Sequence, residues 1–200
     1  MKSLSSFIVR VDKVSKDTIK MKDGTELYLD SKFNEFEHRT THGEVISVPA
    51  KYDTGVKPGD TLYFHHHVVT QKRQELGLEL NDDKYIVRYD PNELLANQAI
   101  AFKSKKTGKI KSIGGWLLMD PIPEDDSNEM VGSIEVVKLK KRLTSRAVFL
   151  DCNKPPKDYD LSPGDVVVFK KNTDYEIDID GKTYIRMRPN ELFYVEVQDS

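Results

Sequence analysis

The chain has 200 residues, of which 38% are hydrophobic and 32% are charged. This length leaves room for one large domain or two small ones, and the charged fraction is typical of a chain with a large wetted surface. Its 31 basic and 33 acidic residues nearly cancel, which excludes a global electrostatic attraction to nucleic acid or to anionic lipid.

The N-terminal segment and the cysteine content bear on where the protein works. Met1 to Val14 mixes charged and apolar residues, whereas a signal peptide needs an unbroken apolar stretch. No apolar run approaches the roughly 20 residues that span a bilayer. Cys152 is the only cysteine, so an internal disulfide cannot form, which fits a reducing compartment. We therefore expect a cytoplasmic protein.

Short strands follow one another along the chain. Apolar residues occupy every second position at Phe7, Val9 and Val11 and again at Tyr85, Val87 and Tyr89, as on a strand with one buried face. In 177–187, apolar residues flank Asp180 and Gly181, a dipeptide that favours a tight hairpin turn. No long helical periodicity competes with this pattern. The sequence therefore predicts an all-β fold made of small barrels, which protect most strand edges by closing on themselves.

The two halves of the chain repeat one another. Residues 56–64 align with 161–169 through a shared Pro-Gly-Asp turn and a final Phe, and Pro-Asn-Glu-Leu recurs at 91–94 and 189–192. Between these matches, Leu78, Leu80, Tyr85 and Ile86 align with Ile177, Ile179, Tyr184 and Ile185. The preserved order predicts two tandem domains of the same fold. We place them at 1–102 and 112–200, with a lysine-rich linker at 103–111.

With the repeat laid out, each half resembles a subunit of the GroES-type co-chaperonins (the chaperonin-10 family). The resemblance rests on the order of the motifs: a first strand, a long loop, a Gly-Glu-Val strand at 43–45, a Gly-Asp turn and a hairpin. It covers nearly the whole chain, although the second half matches more loosely. The fold class that it implies is two tandem GroES-like small β-barrels. A fused pair departs from the usual single-domain subunit and is similar to variants known from plastids and viruses, including phages.

The resemblance implies a mechanism and a set of site residues. Members of this family dock an apolar tripeptide, carried on a mobile loop, onto the apical domains of a GroEL-type chaperonin and so close its folding chamber. The best match in the first half is the loop with Gly24, Glu26, Leu27, Tyr28 and Leu29. In the second half, the equivalent residues are Val131, Ile134 and Val136. Phe33 and Phe36 are alternative anchors. An ordinary hairpin turning at Asp23 and Gly24 is an equally good interpretation of 19–29.

The same resemblance implies that the chain is not an enzyme. It implies no cofactor, because the partner chaperonin hydrolyses the ATP. No metal site is expected either. The expected assembly is a homo-oligomeric ring in the cytoplasm, or in the host cytoplasm if the protein is viral. The chain would act on substrate proteins only indirectly, through the chaperonin. Neither nucleic acid nor a membrane is expected as a partner.

Other residues suggest alternatives. His65, His66 and His67 are adjacent, but neighbours on a strand point to opposite faces, so at most His65 and His67 could share a metal, and a polar segment near a turn is the preferred interpretation. The basic cluster 138–142 would suit a nucleic-acid-binding barrel, or a structural barrel without a chaperonin partner, but no aromatic ladder accompanies it. An alcohol dehydrogenase with a GroES-like domain would need a Gly-x-Gly-x-x-Gly turn and zinc ligands, which are missing from the sequence.

Overall fold

The computed structural model divides the chain into two compact units, Met1–Ile110 (unit 1) and Lys111–Ser200 (unit 2). All structural statements below concern the residues that it describes. These are 3–12, 18–20, 26–28, 40–70, 79–81, 83–93, 97–123, 130–131, 134–135, 145–152, 160–170 and 175–196.

Unit 1 is built around one antiparallel sheet. Its elements are β1 (Ser6–Arg10), β2 (Thr18–Lys20), β3 (Glu26–Tyr28), β4 (His42–Ser47), β5 (Thr61–Phe64), α1 (His67–Thr70), β6 (Glu79–Asn81), β7 (Lys84–Arg88), β8 (Ala99–Lys103) and β9 (Ile110–Ser112), which crosses the unit boundary. The sheet order is β6-β7-β1-β4-β5-β8-β9, and β2 pairs with β3 separately. Phe7 and Val9 pair with Val87 and Tyr85, and all four are buried. The predicted alternation of β1 and β7 therefore builds the core of unit 1.

Unit 2 has the same kind of sheet. Its elements are β10 (Leu117–Pro121), β11 (Met130–Val131), β12 (Ile134–Glu135), β13 (Arg146–Phe149), β14 (Val166–Phe169), β15 (Tyr175–Ile179), β16 (Lys182–Met187), a 3₁₀ turn (Pro189–Glu191) and β17 (Leu192–Glu196). The sheet order is β15-β16-β10-β13-β14-β17, and β11 pairs with β12 separately. One cluster of buried apolar residues forms the core, with Phe149 and Phe169 among the largest.

The two units share their topology strand by strand. β1, β4, β5, β6, β7 and β8 occupy the same sheet positions as β10, β13, β14, β15, β16 and β17. The pairing is irregular at the same place in both, between Tyr63 and Phe64 and between Val168 and Phe169. Such bulges bend a strand at a defined position. The prediction of an all-β fold with two tandem barrel-like domains is therefore confirmed.

The recurring Gly-Asp turn has a physical reason. Gly59 and Gly164 both have a positive φ, 89° and 102°, a conformation that costs glycine little. Each glycine N–H donates to the neighbouring strand, Gly59 to the Val45 carbonyl at 2.8 Å and Gly164 to the Phe149 carbonyl at 2.9 Å. The turn thus enters β5 and β14 in the same register against the strand before it.

The strand register corrects one step of the sequence alignment. The carbonyl groups of Val45 and Phe149 each accept the hydrogen bond from the turn glycine. Val45 pairs with Val9, and Phe149 pairs with Met119. On the far side, Val9 pairs with Tyr85, but Met119 pairs with Ile185. Tyr85 therefore corresponds to Ile185, and its alignment with Tyr184 was wrong by one residue. Side chains alternate between the faces of a strand, so that shift would have turned the core face of β16 outward.

A close approach requires glycine in the Gly-Glu-Val strand. A Cβ atom at Gly43 would lie 2.6 Å from the Arg10 carbonyl oxygen and 3.0 Å from a methyl group of Val11. Gly43 pairs with Leu62, as Ala147 pairs with Val167 in unit 2. The second unit therefore accommodates a methyl group at the position where the first has no room for one.

Candidate functional site

The longest connection in each unit lies between its first and second sheet strands. In unit 1, it runs from β1 to β4 and contains the β2–β3 hairpin. In unit 2, it runs from β10 to β13 and contains the β11–β12 hairpin. Both units thus carry an inserted hairpin at the same point of the fold. Functional segments are commonly placed in such insertions on a rigid scaffold.

The structure places part of the predicted first-half site on β3. Glu26, Leu27 and Tyr28 pair with Lys20, Ile19 and Thr18 of β2. This backbone pairing agrees with the hairpin interpretation of 19–29. Gly24, Leu29, Phe33 and Phe36 lie outside the described residues. The assignment of Leu27, Tyr28 and Leu29 to docking stays a prediction.

The second-half residues lie at the matching hairpin. Val131 pairs with Ile134, and Met130 pairs with Glu135. Val136 lies outside the described residues. The pairing brings Val131 and Ile134 together across the hairpin, but their role in docking likewise stays a prediction.

An exposed aromatic pair at a sheet edge was missed by the sequence analysis. Phe193 and Tyr194 lie on β17, the last strand of the unit 2 sheet, with 66% and 59% of their surface exposed. Exposed apolar residues on an edge strand mark a surface that can pair with another chain. The sequence contained a signal for this exposed surface. Residues 192–195 are four consecutive apolar residues, whereas a strand with one buried face needs an apolar residue only at every second position.

An ion pair links β13 to β17 near this edge. The Arg146 guanidinium donates two hydrogen bonds to the Glu196 carboxylate, at 2.9 and 2.5 Å. These bonds and the carboxylate charge raise the pKa of Arg146 above its ordinary value, so Arg146 remains a cation throughout the accessible pH range. Both side chains are partly exposed, so the pair contributes little to the stability of the fold.

The three adjacent histidines do not lie on one strand. β5 ends at Phe64 and α1 begins at His67, so the expectation that at most His65 and His67 could share a metal used the wrong geometry. One potential ligand atom from each of His65, His66 and His67 lies within 4.8 Å of the others.

Cys152 lies in the interior of unit 2. Cys152 is buried in the core cluster of unit 2, which agrees with a packing role for the cysteine. The basic cluster 138–142 lies outside the described residues. In the described part of the chain, no helix has the length and apolar character needed to cross a membrane.

The fold and its paired insertions define an all-β protein made of two copies of one barrel-like domain. No protein-family model matches the chain. Curated relatives do. Co-chaperonin GroES of Petrotoga mobilis is 37% identical over 76 residues, which are 38% of this chain and 83% of the relative. Co-chaperonin GroES of Fervidobacterium nodosum is 34% identical over 77 residues, 38% of this chain and 84% of the relative.

A third relative, Co-chaperonin GroES of Kosmotoga olearia, is 31% identical over 84 residues, 42% of this chain and 92% of the relative. The chain therefore spans most of each relative, and it belongs to the GroES co-chaperonin family. Each match uses less than half of this chain, about the length of one unit. The two units are thus each comparable in size to one whole relative.

Proposed function

We propose that this protein is a co-chaperonin that caps an ATP-dependent chaperonin ring of the GroEL type and encloses substrate proteins while they fold. The observation that carries the proposal is the similarity to three GroES co-chaperonins, each covered over most of its length. The duplicated fold, with an inserted hairpin in each unit, supports it. Such a role needs no catalytic residue and no cofactor, since the chaperonin hydrolyses the ATP, and it places the protein in the cytoplasm with its partner.

The first-unit hairpin is the proposed docking element. Leu27, Tyr28 and Leu29 would enter an apolar groove of the chaperonin, with Gly24 and Glu26 preceding them in the sequence. Burying one large apolar side chain is worth roughly 1.5–3 kcal/mol. Ordering a flexible loop takes back about 1–2 kcal/mol for each residue that becomes fixed. The pairing of β2 with β3 lowers this entropic cost, because part of the backbone is already in a hairpin.

The second-unit hairpin is the proposed second contact, through Val131, Ile134 and Val136. Its charged Glu135 lies between two of the apolar residues, which predicts a weaker contact than the one made by unit 1. Two weak contacts on one chain still act together, because the first contact raises the effective concentration of the second. Each chain would then bind the chaperonin at two points.

A ring of several chains would multiply these contacts. The exposed Phe193 and Tyr194 on the edge strand β17 are the proposed contribution of this chain to the contact between neighbouring copies. Avidity from many weak loops holds a lid firmly and still permits release when ATP-driven motion of the chaperonin weakens each contact.

ATP-dependent co-sedimentation with a purified GroEL-type chaperonin tests the function. We expect the wild-type chain to sediment with the chaperonin. The double variant Leu27→Ser plus Leu29→Ser should bind at least tenfold more weakly, because two apolar contacts are lost at every loop. Ile134→Ser plus Val136→Ser should cause a smaller loss. Leu4→Ser is the matched control, since Leu4 is an exposed leucine outside both insertions.

The outcomes separate the function from the site. Undiminished binding by the Leu27/Leu29 double variant would remove the docking assignment but leave the function. Failure of the wild-type chain to bind a chaperonin under any nucleotide condition would remove the function. Because loss of the ring would also weaken binding, the mass of each variant assembly is measured in parallel.

A further inference from the structure

Three imidazole rings converge at the junction between β5 and α1. The ring centroids of His65, His66 and His67 lie 4.1–4.5 Å apart, with tilts of 25–46° between the ring planes. One potential ligand nitrogen from each ring lies within 4.8 Å of the other two. His66 is buried with 6% of its surface exposed, His65 is half-buried and His67 is exposed. The cluster is therefore anchored on one side and open to solvent on the other.

The backbone explains why consecutive side chains meet here. The chain leaves β5 and turns at once into α1, with Val68 N–H donating to the His65 carbonyl and Val69 N–H donating to the His66 carbonyl, both at 3.0 Å. Val68 and Val69 are fully buried, so the turn is fixed to the core of unit 1. On an extended strand, neighbouring side chains would diverge.

We propose that His65, His66 and His67 form a binding site for a divalent transition-metal ion, with Zn²⁺ as the reference ion. Imidazole nitrogens are common ligands of Zn²⁺, Cu²⁺ and Ni²⁺, and three histidines with one water complete a tetrahedral zinc site. The site lies outside the inserted hairpins, and metal binding there is independent of the co-chaperonin role. It departs from the sequence-based expectation that no metal binds.

The geometry needs only a small adjustment to bind the ion. Zinc–nitrogen bonds of about 2.0–2.1 Å place tetrahedral ligands roughly 3.4 Å apart, so the widest separation must shorten by about 1.4 Å. We expect rotation of the exposed His67 ring and the half-buried His65 ring to supply this movement. One hydrogen bond that such a rotation would break, from the His67 backbone N–H to His65 Nδ1, is 3.3 Å long and therefore weak.

A bound ion would act as a clamp on unit 1. His65 N–H donates to the Gln98 carbonyl at 2.9 Å, which ties the cluster to the segment before β8. A ligand that binds the folded state alone raises its thermal stability. We therefore expect Zn²⁺ to raise the Tm of the wild-type chain.

Isothermal titration with Zn²⁺, on full-length chain purified without a histidine tag, tests the proposal. The wild-type chain should bind one ion per chain, and Co²⁺ should give a visible absorption spectrum typical of ligand-bound metal. The double variant His65→Gln plus His67→Gln should bind at least tenfold more weakly, because two of three ligands are lost. His66 is left unchanged because it is buried. His42→Gln is the matched control, since His42 lies on β4, away from the cluster, and its ring contacts the Tyr63 ring at a tilted angle.

Two results would overturn the metal site. One is the absence of saturable Zn²⁺ binding to the wild-type chain, which would make the stacked rings a packing feature. The other is binding that the His65/His67 double variant retains or that the His42 variant loses, which would place the ion elsewhere. Neither result would affect the proposed docking to a chaperonin, which is measured without added transition metal.

Discussion

Asp60 closes the turn before β5 and connects it to one other backbone segment of unit 1, after β8. Its carboxylate accepts hydrogen bonds from the Lys57 N–H and the Lys105 N–H, both at 2.9 Å, and the residue is 5% exposed. The equivalent Asp165 accepts one from the Ser162 N–H at 2.7 Å and is less deeply buried. The same motif therefore has a larger structural role in unit 1 than in unit 2.

We expect Asp60→Ala to destabilise unit 1 by about 2–4 kcal/mol, because two backbone N–H groups in partly buried hydrogen bonds lose their charged acceptor. Asp165→Ala is the matched control and should cost about 1 kcal/mol in unit 2, where the lost bond is replaced by water. Differential scanning calorimetry of both variants measures the two effects. An Asp60 variant no less stable than the Asp165 variant would contradict this account of the turn.

Tyr89 makes unit 1 sensitive to alkaline pH. Its ring packs edge-on against Phe7 at 5.3 Å and Tyr52 at 5.7 Å. Burial, aided by the nearby negative charge of Asp53, raises the pKa of the Tyr89 phenol above its ordinary value of 10.0. The folded state therefore holds this proton more tightly than the unfolded state does. Its stabilising effect is complete below pH 10 and is lost as the pH rises from there through the folded-state pKa.

The corresponding prediction concerns Tyr89→Phe. Above about pH 10, the wild-type chain should lose up to about 1.4 kcal/mol of stability per pH unit through this one group. The phenylalanine variant should lack that part of the loss. Tyr194→Phe is the control, because Tyr194 is exposed. Denaturant unfolding between pH 8 and 11 measures the slopes, and identical slopes for all three proteins would refute the prediction.

At the scale of elements, each unit combines a strongly paired sheet with one inserted hairpin. The shared order of elements along the two halves of the chain was predictable from the repeat, since the Gly-Asp turn and the Pro-Asn-Glu-Leu segment mark the same places in both halves. These segments recur structurally as well: Glu93 N–H donates to the Asp90 carbonyl at 3.2 Å, and Glu191 N–H donates to the Arg188 carbonyl at 3.0 Å. Local turn chemistry needs only neighbouring residues, so the sequence carries it directly.

If the β2–β3 hairpin docks as proposed, locking it in its paired form tests whether docking uses a pre-organised hairpin. Lys20 and Glu26 are direct partners across the hairpin, close enough for a disulfide to lock it. In a Cys152→Ser background, Lys20→Cys plus Glu26→Cys should bind a chaperonin at least as tightly when oxidised as when reduced, because locking removes ordering entropy. Co-sedimentation with and without reductant measures this. Binding lost on oxidation and restored by reductant would show that docking requires an open loop.

At the scale of the whole molecule, the described part of the duplicated fold has two inserted hairpins and an exposed aromatic pair on the edge strand β17. Phe193 and Tyr194 together expose a large apolar surface, and interfaces between protein subunits are enriched in such aromatic residues. Their contribution to the assembly can be tested apart from docking.

We expect Phe193→Ser plus Tyr194→Ser to shift the protein from the proposed ring to smaller species, because the variant loses the apolar area that a subunit contact would bury. Light scattering coupled to size-exclusion chromatography measures the mass. The Leu27/Leu29 double variant is the control and should keep the wild-type mass. A full-sized assembly from the Phe193/Tyr194 variant, at all protein concentrations, would place the subunit contact elsewhere.

Part of the candidate site was accessible from the sequence and part was not. The hairpin at 19–29 was one of two interpretations that the residues allowed, because Asp23 and Gly24 suit a tight turn. The exposure of Phe193 and Tyr194 was not predicted, since an apolar run does not reveal which face of a strand is covered. The convergence of His65, His66 and His67 was also missed, because it depends on β5 ending at Phe64, so that the three histidines lie at a turn and not on a strand.

The sequence by itself determined the class of fold, the duplication and the turns that enter β5 and β14. These features depend on alternation and on glycine at positive φ, which act over a few residues. Only the tertiary structure decided that Ile185, and not Tyr184, faces the core of unit 2, that three imidazoles meet at one turn, and that β17 lies at a sheet edge. Side chains on a strand alternate with a period of two, so pairing with distant strands, and not local pattern, selects the buried face.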